Sequence, residues 1–287
     1  MTTQEAYLRY VNDFDTYFDN DVAALNRVQI EKYLDGIFKK CDSNSYRDTS
    51  SIACARLAAI KCYYRFMLSS GLIKSNPTEH ISYPKSRNRT EVTYLTSSEI
   101  RHVKRDILTG TGSVLAGKRQ QAWKNRDLLI LSLACNTGLR LSALTSIDVD
   151  DINLLERSVD VIEKGNYKRT VYYGKETTKI LKNWLTDRKK LLRGNSCNAL
   201  FISNQRCRAS TLCIYDIVKK YTAGIHKNIS PHKLRSTCAT NLYEQTGDIY
   251  LVASVLGHKN IQTTVRYTHI DYKKRKEAAI LLDSVLF

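Results

Sequence analysis

Tyr267 stands nine residues beyond His258 in the stretch "LGHKNIQTTVRYTH". A phenol has a pKa of about 10, so at neutral pH it is a poor nucleophile unless a base receives its proton and cations stabilise the charge that develops. Groups able to do both lie upstream: His232 and Arg235 in "HKLRSTCATNL", Arg140 in "TGLRLSAL" and Lys164 in "EKGNYKR". His232 and Arg235 are three residues apart, so on a helix they share a face. Ser230 and Pro231 just before them mark a helix start. The free N–H groups and positive dipole end there form an anion site whose natural occupant is phosphate. Taken singly, each feature has a plainer reading: Tyr267 as a packing residue with a wet hydroxyl, His232 as a helix cap, Arg235 as a surface charge.

The elements that must position these groups are mainly helical, since long apolar patterns of period 3.6 dominate a chain of 287 residues with 3 prolines. "NRDLLILSLACNTGLRLSALTSI" predicts a helix stopped by Gly138, then a short second helix starting at Arg140 or just after it. "RSVDVIEKGNYKRTVYYG" alternates as a β-hairpin, with Val159 and Val161 on one strand and Val171 and Tyr173 on the other. The turn signal Gly165-Asn166 then puts Lys164 at its tip. A helix runs from Pro231 toward Gly247, and a shorter one from Asp248 to Gly257. His258 and Tyr267 therefore bracket one further small helical turn. "LTGTGSVLAGKRQQAW" reads as a Gly-rich basic surface loop with no nucleotide-binding fingerprint. "DVDDIN" fails as a calcium loop, because the twelfth position from Asp148 is Val159 where a bidentate Glu is required.

Two domains are expected from the length. Residues 1–84 read as a small helical domain, with helices near 4–18, 28–40, 50–70 and 78–82. The third would bury Ile52, Leu57, Ile60, Tyr64 and Leu68 on one face. Residues 85–95, polar and basic just after Pro77 and Pro84, read as a linker. Thr96 and Glu99 form a capping box that opens a second domain, 96–287, with an amphipathic tail at 273–287. Net charge is +17, and residues 1–92 carry 13 basic against 11 acidic side chains, so the second domain holds nearly all the excess and is the expected footprint of a polyanion. The N-terminal stretch lacks a basic then apolar leader, and no segment approaches the ~18 apolar residues of a membrane span, so a soluble cytoplasmic protein without membrane contact is expected. The 8 cysteines show no C-x-x-C pair and no zinc spacing, and read as reduced core residues.

In their order and spacing, Arg140, Lys164, His232-x-x-Arg235, His258 and Tyr267 resemble the tyrosine recombinase (phage-integrase, Xer-like) family, over residues 137–269. The resemblance implies a mainly α fold with a small β-hairpin or sheet, in which a helical, SAM-like core-binding domain and a catalytic domain close on DNA as a C-shaped clamp. It implies a site-specific recombinase that cleaves and rejoins DNA through a 3′-phosphotyrosine and a Holliday junction, with no metal, ATP or other cofactor. Tyr267 would be the nucleophile. Arg140 and Arg235 would clamp the non-bridging oxygens, and Lys164 would protonate the leaving 5′ oxygen. His232 would accept the tyrosine proton, while His258 would bind an oxygen and brace Tyr267. Partners implied are double-stranded DNA with an inverted-repeat core site and three further copies of the chain, with the C-terminal tail exchanged between protomers in a nucleoid-associated tetramer. Ala143 departs from the family pattern, which has an acidic residue there, so a less well organised site is expected rather than lost chemistry. Two other readings stay open: a type IB topoisomerase-like nicking-closing enzyme, and a catalytically inert DNA-binding accessory protein.

Overall fold

A computed structural model of the chain describes residues 3–19, 21–41, 49–83, 92–163 and 167–268. The chain divides into two compact units, Met1–Thr90 and Glu91–Phe287. Among the described residues no helix is long and apolar enough to cross a membrane.

The first unit is built of α1 (Thr3–Tyr17), α2 (Arg27–Cys41) and α3 (Thr49–Ser69). Its core gathers on Phe14, whose ring meets those of Phe18, Tyr33 and Tyr64 edge-on at 5.2, 5.1 and 6.1 Å. Such edge contacts add to what apolar burial alone contributes. Tyr64 is fully buried and donates its hydroxyl hydrogen to the Val22 carbonyl at 2.8 Å, which satisfies its one polar atom. The inward face of α3 carries Leu57, Ile60, Tyr64 and Met67, and Leu68 points outward instead. Steps of three, four and three residues keep the first set on one stripe, and Leu68, four residues after Tyr64, lies at the edge of that stripe and is 40 % exposed. The expected helix at 78–82 is a turn. Asn76 accepts from the backbone N–H and the hydroxyl of Thr78, and this Asx turn competes with helix formation over so short a span.

The second unit runs α4 (Ser97–Thr109), α5 (Val114–Gln121), α6 (Lys124–Thr137), α7 (Leu141–Ser146), β1 (Ile152–Asn153), β2 (Ser158–Glu163), β3 (Tyr167–Tyr172), α8 (Lys175–Leu192), α9 (Thr211–Thr222), α10 (Pro231–Thr246), α11 (Ile249–Leu256) and α12 (Gln262–Val265). The capping box forms as expected, with Thr96 accepting from the Glu99 N–H and the Glu99 carboxylate accepting from the Thr96 N–H. The stretch expected as a Gly-rich loop is instead helical at α5, capped by Ser113. Gln120 accepts from the Thr111 N–H and donates to the Thr111 carbonyl, so side-chain bonds tie this helix back onto the loop before it. α6 is apolar on nearly every face and lies centrally, packed on α8 and α10.

The three strands form one antiparallel sheet in the order β1-β2-β3, with Val159 opposite Val171 and Val161 opposite Arg169. β1 extends the expected hairpin by one short strand. Val159, Val161, Val171 and Tyr173 are all buried, as the alternation predicts. Cys54, Cys62, Cys135, Cys197, Cys207, Cys213 and Cys238 are free, but Cys62 and Cys207 are exposed rather than in the core. Burial pushes the Cys135 and Cys238 thiols up to about 12 and about 11, so both stay protonated.

Gly138 ends α6 in the left-handed conformation at φ +60°, its N–H bonded to the Ala134 carbonyl. A Cβ there would stand 2.5 Å from Leu256 Cδ2 and 3.4 Å from Cys238 Sγ, both on buried side chains of other helices. Gly138→Ala is thus expected to destabilise the protein by about 2–4 kcal/mol, combining the left-handed penalty with overpacking. Denaturant midpoints check this, and a change below about 0.5 kcal/mol would mean that the turn relaxes freely.

Candidate active site

Four separate pieces of chain converge beyond the C-terminal end of α6. The sharp turn at Gly138 sends the chain into α7 with Arg140 as its N-cap residue. Ser230 sits at the N-cap of α10 without a side-chain cap bond, and Pro231 follows at the first helical position. This places His232 in the exposed first turn and Arg235 one turn deeper, 2 % exposed. Arg235 donates from Nη1 to the Gly138 carbonyl at 2.5 Å and from Nη2 to the Leu256 carbonyl at 2.6 Å. Its planar fork therefore ties the ends of α6 and α11 together. Burial, then the neighbouring Arg140, pull the Arg235 pKa down to about 10, with Glu163 opposing; the group stays charged at neutral pH.

α11 ends at Gly257 in the left-handed conformation, φ +65°, and the chain turns directly into His258. His258 Nδ1 lies 2.8 Å from the hydroxyl of Thr264, which is fully buried on α12. The Tyr267 N–H donates to the Thr264 carbonyl at 2.9 Å, so one threonine braces both His258 and the backbone of Tyr267. The tyrosine ring is 2 % exposed, packed with Ala239, Val252 and Leu256, and the Arg266 guanidinium lies 5.4 Å from its centroid. Tyr267 also lies within electrostatic reach of Arg235.

Burial lowers the His258 pKa to about 4, with Arg235, Arg140 and Arg266 adding to the effect and Glu163 opposing it. Partial burial likewise lowers that of His232, followed by Arg266, Arg235, Lys233 and Arg140. Both imidazoles are neutral at pH 7, each able to accept a proton on one nitrogen and donate from the other. Between about pH 4 and the ordinary histidine value of 6.5 the unfolded chain holds a proton that folded His258 does not. The stability linked to His258 is therefore fully present above pH 6.5 and is lost as pH falls toward 4. His258→Gln is expected to lose less melting temperature across that window than the unaltered protein. Equal slopes would show that this imidazole is not depressed.

Thus Arg140, His232, Arg235, His258 and Tyr267 share one electrostatic neighbourhood, and Lys164 lies outside the described residues. Three further residues belong to the same neighbourhood. Glu163, at the end of β2, accepts from Arg140 Nη1 with one carboxylate oxygen and from Arg169 Nη2 with the other, the latter at 2.7 Å. Arg169 on β3 also donates to the Val255 carbonyl of α11 at 2.6 Å. Thr264 is the third. Strand parity carries a signal for Glu163, since Val159 and Val161 face inward and position 163 must follow them. The same parity marks Arg169, two residues before Val171 on β3, whereas no comparable signal marks Thr264. Among the described residues, no group of three or more His, Cys, Asp or Glu side chains stands where it could hold a metal ion.

Residues 113–274 match the sequence profile of the phage integrase family. The chain belongs to that family. It is a site-specific tyrosine recombinase, similar to the tyrosine recombinase XerC of Alcanivorax borkumensis, with 33 % identity over 219 residues that span 76 % of this chain and 68 % of the relative. The XerC of Haemophilus influenzae is 32 % identical over 225 residues, spanning 77 % and 71 % of the two chains. In fold, the recombinase superposes on XerH bound to a palindromic difH substrate in a post-cleavage complex, with a TM-score of 0.78 at 21 % identity over 97 % of this chain and 79 % of that one. A lambda integrase dimer bound to a core site gives 0.67 at 16 % identity, over 94 % and 91 %.

Proposed function

We propose that this recombinase cleaves and rejoins double-stranded DNA with Tyr267 as nucleophile. The observation that carries the reading is the gathering of Arg140, Arg235, His232 and His258 around one tyrosine, from stretches up to 127 residues apart in the chain. In the proposed step the Tyr267 oxygen bonds to phosphorus and the bond from phosphorus to the 5′ oxygen breaks. The product is a 3′-phosphotyrosine and a free 5′-hydroxyl, so the ester energy is kept for rejoining. Arg140, with its side chain 38 % open, offers its remaining donors to the non-bridging oxygens. Arg235, as a second planar cation beside it, stabilises the charge of the pentacoordinate transition state. His232 accepts the phenolic proton. Where Thr264 donates to His258 Nδ1, the imidazole carries its proton on Nε2 and donates it to a phosphate oxygen. Lys164 supplies a proton to the departing oxygen. A phosphodiester entering this cluster of cations adds a negative charge, which raises both depressed imidazole pKa values and makes His232 a better base than in the free protein.

The wider assembly follows from the same reading. A helical core-binding domain (1–84) and a catalytic domain (96–287), joined by a linker, close as a C-shaped clamp on an inverted-repeat core site in the cytoplasm. Four copies exchange strands through a Holliday junction, with the tails at 273–287, which lie outside the described residues, passed between protomers. The basic excess of the second domain and the DNA complexes of the fold neighbours support this. A duplex nicked near the cleavage site, whose released fragment diffuses away, tests it. A trapped covalent complex together with transfer of label between two duplexes is expected. Adduct without transfer would favour a nicking-closing enzyme, and the lack of any adduct an accessory DNA-binding protein.

A further inference from the structure

The cations of this site outnumber its acids. Arg140, Arg169, Arg235 and Arg266 all act on the same two imidazoles or on each other. Among the described residues, Glu163 is the one carboxylate among the groups felt by both Arg235 and His258. Its side chain is 6 % exposed, so its charge is largely out of water and strongly felt. The two oxygens are divided, one to Arg140 and one to Arg169. Arg169 is itself held by the Val255 carbonyl, two residues before Gly257. A side chain at Gly257 would stand 3.1 Å from Arg169 Nε, so the glycine leaves Arg169 room to lie across the end of α11. The chain of contacts therefore runs from Arg140 through Glu163 and Arg169 to the turn that carries His258. α7 brings no acid of its own to this place, because Ala143 is buried and uncharged.

We infer that Glu163 is a positioning residue for phosphoryl transfer, fixing the Arg140 fork from behind and locking the β2–β3 hairpin to the end of α11. The depth of the two partners argues for this role over that of a plug which occupies Arg140 until phosphate arrives. Glu163 and Arg169 are 6 % and 13 % exposed, whereas Arg140 is 38 % exposed and keeps its open side free. A carboxylate bound on both oxygens from the buried side orients a guanidinium without covering the face that a phosphate needs. The inference rests on the recombinase chemistry proposed above.

Glu163→Gln keeps the shape and removes the charge. With the nicked duplex as substrate and both proteins fully folded at the temperature used, this variant is expected to form the covalent adduct about 10–100-fold more slowly in a single turnover. Its DNA dissociation constant should stay within about threefold, since Arg140 is misaligned rather than lost. Glu163→Asp, with the charge kept but one methylene withdrawn, is expected to fall between the two. That recovery is something a merely space-filling role would not show. Adduct formation by Glu163→Gln at the unaltered rate would overturn the inference, and a faster rate would make Glu163 the plug. Should the Gln variant not fold, the Asp variant decides alone: slower cleavage at unchanged affinity supports the positioning role, and unchanged cleavage overturns it. If the unaltered protein forms no adduct at all, the recombinase chemistry fails and the inference falls with it.

Discussion

Tyr267→Phe is expected to bind DNA with unchanged affinity and to form no covalent adduct. Only one oxygen is removed, from a ring that is 2 % exposed and packed on Ala239, Val252 and Leu256, so the packing and the Arg266 contact with the ring survive. The backbone bond from Tyr267 to Thr264 survives too, which keeps His258 braced. Melting temperature should therefore move by no more than about 2 °C, while adduct formation on the nicked duplex falls below detection. Persistent adduct in the Phe variant would assign the nucleophile elsewhere, with Tyr272 the next residue to test.

Arg235→Ala is expected to damage both stability and chemistry. The Gly138 and Leu256 carbonyls each lose a charged donor in a dry interior, and a cavity opens between α6, α10 and α11. Those losses amount to about 2–4 kcal/mol, moderated by relief of repulsion from Arg140. Cleavage should fall by at least about 10³-fold, because one preorganised donor to a developing charge is commonly worth 10²–10³ and misplacement of its neighbours adds to that. Arg235→Lys separates the two effects. A single ammonium keeps the charge but cannot span two carbonyls as the planar fork does, so stability should recover more than rate. Single-turnover cleavage and denaturant midpoints of the two variants check this, and cleavage within tenfold of the unaltered rate would remove Arg235 from the site.

Much of the scaffold was legible because it is written in local terms. The stop at Gly138, the capping box at Thr96 and Glu99, the start at Ser230-Pro231 and the stop at Gly247 depend on residues within one turn of each other. So did the hairpin, where alternation alone set the faces of Val159, Val161 and Val171. Reading failed where a second, competing local signal prevailed. Three glycines and a basic run in "LTGTGSVLAGKRQQAW" suggested a loop, yet Ser113 caps a helix that Gln120 ties back to Thr111. At 78–82 an Asx turn replaced a helix.

The site itself was legible as residue types and spacing, and much less as connections. Arg235 bonds to carbonyls 97 and 21 residues away, and Arg169 to one 86 residues away, distances over which no periodicity speaks. Tertiary packing alone decides such pairs. Glu163 is the instructive case: parity placed it inward, but that its charge would meet two arginines could be seen only once α7, β3 and α11 were assembled. The weakened organisation expected from Ala143 accordingly meets a counterweight, since a carboxylate reaches Arg140 from β2 instead of from α7.

The most direct test of the account is to trap the covalent complex on a nicked duplex, digest both protein and DNA, and locate the modified residue by mass spectrometry. A single nucleotide-bearing peptide modified at Tyr267 is expected, with the DNA attached through its 3′ phosphate and a free 5′-hydroxyl on the released strand. Attachment at any other residue, or through a 5′ phosphate, would contradict it.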